Sequence, residues 1–158
     1  MPKFTALLHT HNDALRLGRA LQSLRPCDEV LIIDEGSEDD TAKVAREYGA
    51  TLKTAIPGVS PGAYAMDAQH EWILCLRPNE SLSDMLEAAL FEWKEQDPGE
   101  NAFYYSIAIR EENGGGWKEC PPEVRLVNRN RVNWIGEMPP QNQNCTRIHG
   151  ELLSFQHP

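Results

Sequence analysis

Residues 30–41 read VLIIDEGSEDDT. The first four form a continuous apolar run, the pattern of a short strand covered on both faces. The run enters an acidic turn, Asp34 to Thr41, after which Ala42, Ala45 and Tyr48 recur at helical spacing until Gly49. Ser37 followed three residues later by Asp40 predicts a capping box at the start of that helix. A buried strand feeding a turn and then a helix is half of a strand-helix-strand unit with parallel strands.

Working outward, the same grammar repeats. Phe4 to Leu8 predicts the first strand, with Asn12 as the cap of a helix carrying Ala14, Leu17, Leu21 and Leu24 until Pro26 stops it. Downstream, Thr51 to Thr54 predicts a third strand, and Ile56 to Gly62 a loop, since two prolines and two glycines hold no regular element. A short helix around Tyr64 to Gln69, a buried strand from Trp72 to Leu76 and a helix from Ser81 to Gln96 complete this half. Beyond Asp97-Pro98-Gly99 the pattern changes to strands and turns: Ala102 to Arg110, the turn Asn113 to Gly116, Val124 to Val127, Arg131 to Trp134 and Leu152 to Phe155. Prolines and amides from Met138 to Asn144 predict an irregular exposed loop. The expectation is an α/β protein, a mostly parallel sheet flanked by helices with a hairpin-rich C-terminal part. It forms one domain over 1–158, made of a strand-helix half (1–96) and a hairpin-rich half (97–158).

Composition narrows the partners. The formal charge is −9, which repels nucleic acid and anionic lipid. The excess is uneven: residues 1–100 carry 9 basic and 18 acidic side chains, residues 101–158 carry 6 of each, with Arg125, Arg129 and Arg131 close together. The second part is the less hostile to an anion. No apolar run approaches the roughly 20 residues of a membrane span, and the N-terminal segment lacks a signal-peptide pattern, so a cytoplasmic protein is expected. Cys27, Cys75, Cys120 and Cys145 lack the C-x2-C spacing of a zinc or redox motif and are expected as core thiols.

Two segments carry a family resemblance. Thr10-His11-Asn12-Asp13 closes the first strand, and Asp34-Glu35-Gly36-Ser37-Glu38-Asp39-Asp40-Thr41 closes the second. Together they resemble the opening of a family 2 glycosyltransferase. The Gly-Gly-Trp turn at residues 115–117 and the run VRLVNR at 124–129 resemble the lipopolysaccharide-core glucosyltransferase branch. The resemblance implies the A-type glycosyltransferase fold, shortened at its C-terminus, a role in cell-envelope polysaccharide assembly, and binding of a nucleoside diphosphate sugar of the uridine type. It assigns nucleotide binding to Thr10, His11, Asp13, Asp34, Gly36, Ser37 and Asp39. Carboxylates at the carboxyl ends of adjacent parallel strands suit that role, because such sheets bind ligands in the crevice there.

The departures fall where the family does its chemistry. Its metal-holding Asp-x-Asp is replaced by Arg77-Pro78-Asn79, followed by Glu80, and its His-Glu near the last hairpin by Pro139-Pro140. The Arg-Asn of its central loop is replaced by Pro61-Gly62. Hard divalent cations need carboxylate oxygens, so no metal cofactor is expected. Arg77, Asn79 and Glu80 remain as the diphosphate and sugar region, and Arg77 has two readings. Its guanidinium replaces the metal's charge, or the site is retired and Arg77 pairs with Glu80 or a neighbouring carboxylate. An active enzyme would transfer the sugar with inversion, a carboxylate deprotonating the acceptor hydroxyl; Glu123 and Glu137 are the candidates. The alternative is a catalytically inactive domain kept for binding or for assembly with a partner transferase.

Other motifs compete. His9-x-His11 has the alternate spacing of strand-borne metal ligands, but the other histidines are only His70, His149 and His157, in a chain too short for an eight-unit barrel. The four tryptophans lack a stacking period and are expected mostly in the core, and no serine elbow or glycine-rich phosphate loop occurs.

Overall fold

The computed structural model describes residues 1–142 and 144–158. Four strands run parallel: β1 (Phe4–Thr10), β2 (Glu29–Asp34), β3 (Thr51–Thr54) and β4 (Trp72–Leu76). They are joined through α1 (Ala14–Gln22), α2 (Thr41–Glu47) and a 3-10 helix, Pro61–Asp67. The rest of the chain forms β5 (Glu80–Leu82), α3 (Asp84–Lys94), β6 (Tyr104–Asn113), β7 (Gly116–Asn128) and β8 (Thr146–Ser154). The strands make one sheet in the order β3-β2-β1-β4-β7-β6-β8-β5. No helix among the described residues is long and apolar enough to cross a membrane.

Period-two alternation along β1 divides the interior. Phe4, Ala6 and Leu8 face Leu17, Leu21, Leu86, Leu90 and Trp93 of the helices, while Leu7 joins Leu31, Ile33, Ile73, Cys75 and Tyr64 on the other side. All of these are buried, and each fully buried Leu or Ile contributes about 1.5–3 kcal/mol relative to exposure. Trp72 and Trp93 meet edge to face at 5.0 Å, which confirms two of the four tryptophans as core. Trp117 instead sits half-exposed against Phe155 at the sheet edge.

Several boundaries differ from the sequence reading. The helix predicted from Ser81 starts at Asp84, because Glu80–Leu82 pair antiparallel with β8 and Ser83 caps the helix by accepting from Leu86 N at 3.1 Å. Val124–Val127 is only the buried end of β7, whose outer half pairs with β6 around the turn at Gly114-Gly115. Pro121 and Pro122 are tolerated inside that strand because the register shifts opposite them, as a strand proline requires. Arg131–Trp134 is not a strand. Arg131 N and Val132 N both donate back to Asn128 O, so a turn satisfies the backbone. Residue 143 of the predicted 138–144 loop lies outside the described residues.

The predicted cluster of arginines is not an anion-binding face. Arg125 is fully buried, Arg129 Nη1 donates to the carbonyls of Ala65 and Ala68, and Arg131 lies over the Phe103 ring at 5.0 Å.

Candidate functional site

From β1 the chain steps to β2 and β3 on one side, whereas β4 lies on β1's other side. The order therefore reverses at β1, and the crevice beyond the carboxyl ends of β1 and β4 is where such sheets take ligands. Parallel register sets Thr10 opposite Asp34, and Thr10 Oγ1 donates to Asp34 Oδ1 at 2.9 Å.

The two turns beyond these strands are stitched to each other. Asn12 adopts a left-handed φ of 54°, which Asn tolerates, and its Oδ1 accepts from Glu38 N at 2.8 Å. Asn12 N donates to Ser37 Oγ at 2.8 Å, and Ser37 N and Oγ both donate to Asp34. Asp39 accepts from Ala14 N at 3.1 Å, from Thr41 N at 3.0 Å and from the Thr41 hydroxyl, while Asp13 N donates to Thr41 Oγ1 at 2.9 Å. The hydrogen bond from Thr41, with those from backbone N–H groups, holds the Asp39 carboxyl below its ordinary pKa. Helix starts are thus capped across the turns: Asp39 serves the first N–H of α1. Neither the predicted Asn12 cap nor the Ser37–Asp40 capping box forms, because Asn12 and Ser37 bond to the opposite turn instead.

Thr10, His11, Asp13, Asp34, Gly36, Ser37 and Asp39 are therefore gathered in one place. His11 N donates to Asp13 Oδ2 at 2.8 Å, and Gly36 takes the positive φ of 74° that its turn requires. A carbonyl only accepts, so the 2.7 Å contact between His11 Nδ1 and Glu35 O places the ring proton on Nδ1. The His11 ring is exposed beside half-buried Asp34.

The end of β4 is organised differently. Glu80 is 2% exposed and accepts two bonds of 2.7 Å from the Arg125 guanidinium and one of 2.7 Å from Arg77 N. Burial works against the Arg125 charge, but the bonds and charge of Glu80, with Glu123, outweigh it and raise its pKa. Asn79 Nδ2 reaches Ser154 Oγ and Phe155 O. Arg77 is half-exposed, 3.7 Å from Glu80 and 4.0 Å from Glu123. This donor set does not fit a divalent cation: one carboxylate is consumed by a buried arginine and the neighbouring head group, Arg77, is cationic.

Glu123 also faces Arg125 Nε at 3.2 Å, so it sits between two guanidiniums. Glu137 lies elsewhere, in a carboxylate-imidazole cluster with His9 and Glu35 whose ligand atoms are within 4.8 Å of one another. His9 is buried edge-on to Tyr64, and desolvation lowers its pKa despite Glu137 and Glu35. The His9-x-His11 spacing draws attention to these rings, but His9 is buried in β1 against Tyr64 whereas His11, past the end of β1, is exposed. Among the cysteines, burial pushes the Cys75 thiol up to about 12 and the Cys27 thiol further, so neither is a ready nucleophile.

No protein-family profile matches the chain. It is 34% identical over 91 residues to an uncharacterized glycosyltransferase of Rickettsia felis, covering 55% of this chain and 32% of that protein. The chain thus spans about a third of the length of the curated relatives it matches. Among solved structures, glucosyl-3-phosphoglycerate synthase from Mycobacterium tuberculosis with Mn2+ and UDP-glucose superposes with a TM-score of 0.61 at 15% identity. That match covers 86% of this chain and 61% of the synthase. S. aureus TarS 1–349 superposes with a TM-score of 0.54 at 23% identity, covering 72% and 37%. The fold is the A-type glycosyltransferase fold.

Proposed function

We propose that this chain binds a nucleoside diphosphate sugar of the uridine type in the crevice beyond β1 and β4, as the nucleotide-binding part of a family 2 glycosyltransferase-like protein. The observation that carries this reading is the Thr10–Asp34 pair at the carboxyl ends of adjacent parallel strands. Around it stand His11, Asp13, Gly36, Ser37 and Asp39, in two turns joined by hydrogen bonds that lower the ordering cost of binding. The UDP-glucose complex of the similar synthase supports the choice of ligand. The Gly-Gly-Trp turn and the run containing Arg125 support the cell-envelope branch of the family.

A second reading has its own observation. Glu80 is locked to Arg125, and Arg77 replaces a carboxylate, so the diphosphate end lacks the metal chemistry of an active transferase. On this reading the domain binds the donor, or a partner transferase, without turning over. Calorimetry with uridine, uridine diphosphate and sugar conjugates, followed by a hydrolysis and transfer assay on whatever binds, tests both. Binding with no turnover supports the second reading; no binding at millimolar nucleotide removes the first.

A further inference from the structure

His9 carries an unmet requirement. It is 8% exposed, yet neither ring nitrogen has a hydrogen-bond partner among the described residues. Buried imidazoles ordinarily find one, since a stranded donor or acceptor keeps its desolvation cost. The ring meets Tyr64 in an edge contact, at 6.1 Å between centroids, and Tyr64 belongs to the layer that holds Leu7 and Ile33. What it does approach is two carboxylates, Glu35 and Glu137, which are exposed. Neither has a basic partner within 4 Å among the described residues.

Three chain segments bring these groups together, and each is fixed by its own contacts. His9 is the penultimate residue of β1. Glu35 follows β2, with its N–H donating to Thr10 O at 2.8 Å and its carbonyl accepting from His11. Glu137 lies on a segment pinned to the 3-10 helix by Gly62 N donating to Ile135 O at 3.0 Å. Gly62 is packed so closely that a Cβ there would lie 2.1 Å from Trp134 O. The convergence of a buried imidazole lacking a hydrogen-bond partner with two carboxylates is therefore built by the fold.

We propose that His9, Glu35 and Glu137 bind one divalent transition-metal ion of the Zn2+ class, at a site separate from the end of β4. One nitrogen and two carboxylate oxygens form a mixed set that Zn2+ accepts and that suits Mg2+ poorly, because imidazole is a poor ligand for a hard cation. Bond lengths of about 2.0–2.2 Å put neighbouring ligand atoms of a tetrahedral ion roughly 3.4 Å apart. The ligand atoms already lie within 4.8 Å of one another, and two of the three belong to exposed side chains. The ion supplies the partner that His9 lacks, neutralises the two carboxylates and ties the 132–137 segment to the ends of β1 and β2. Three protein ligands leave a coordination position open to solvent or to an oxygen of a bound molecule.

The test uses the full chain, stripped of metal and kept reduced, with no nucleotide in any arm, so that its outcome is independent of the nucleotide reading. Zn2+ is titrated by calorimetry, and the unfolding temperature is followed with and without the ion. The expected result is one Zn2+ per chain, a rise in unfolding temperature, and at least tenfold weaker binding of Mg2+. Glu137→Gln and Glu35→Gln, both at exposed positions, each weaken Zn2+ binding at least tenfold while the variants remain folded. His9→Phe, which keeps the ring volume, abolishes it; should that variant not fold, the two glutamate variants decide. Absence of binding up to about 1 mM Zn2+, the weak limit of a specific site, overturns the proposal. So does Zn2+ binding that is unchanged in both glutamate variants, which would assign the ion to cysteines or other donors.

Discussion

Arg125 and Glu80 form a two-pronged ion pair in the interior, Nη1 to Oε1 and Nη2 to Oε2 both at 2.7 Å, with side chains 0% and 2% exposed. Arg125 Nη1 also donates to Cys75 O at 3.1 Å, so the guanidinium joins β7 to the end of β4. Breaking such a pair strands a buried charge, at a cost of about 3–5 kcal/mol. Glu80→Gln and Arg125→Met should each lose that much in urea unfolding. The double replacement Glu80→Leu with Arg125→Met should recover most of it, and strict additivity of the single losses would refute the pairing.

Asp34→Ala should weaken uridine nucleotide binding by about 1–3 kcal/mol, as for a lost hydrogen bond to a charged group. The loss should exceed that of a control at Asp40, which is exposed and caps no helix N–H with its side chain. Equal losses in calorimetry would mean that Asp34 makes no specific contact with the nucleotide.

Magnesium should leave uridine diphosphate binding unchanged within about tenfold, or 1.4 kcal/mol, because Glu80 is occupied and Arg77 repels a cation. If Arg77 faces the diphosphate, Arg77→Ala should weaken the diphosphate more than the nucleoside, and added salt should reproduce the effect. A retired site predicts equal affinities for the variant and the parent.

Gly62→Ala should destabilise the fold by about 1–3 kcal/mol through overpacking, since the new Cβ meets the Trp134 carbonyl, a backbone group that cannot rotate away. Chemical denaturation measures it. An unchanged midpoint would show that the 132–137 segment is free to shift.

Asp39 contributes to acid stability with a definite sign. Its folded pKa lies below the ordinary carboxyl value, so the folded state holds fewer protons than the unfolded one as the pH falls. The contribution is present above about pH 4 and is lost as pH falls through the lowered folded value. Asp39→Asn should flatten the fall of unfolding temperature below that pH. A slope as steep as the parent's would place the acid sensitivity on other carboxylates.

Local chemistry made the parallel half readable. Apolar runs at 30–33 and 72–76 carry their own burial signal, and Thr51–Thr54 matches β3 to the residue. Residues 10–13 and 34–41 declared their shared place because a strand-helix-strand unit forces consecutive strands side by side. The C-terminal half was less legible: Glu80–Leu82 finds its partner about 70 residues away in β8, and β7 passes through two prolines by a register shift that no local pattern announces. The same limit applies to side chains. Arg125 has the composition of a surface residue, and only the pairing of β7 with β4 buries it against Glu80. His9 and His11 are indistinguishable by type and spacing, yet one is sealed against Tyr64 and the other exposed. Sequence thus determined the elements whose stabilising contacts lie within one strand-helix unit. The tertiary structure alone decided which charges are buried and which carboxylates meet, because those depend on long-range packing that desolvates some groups and leaves identical ones in water.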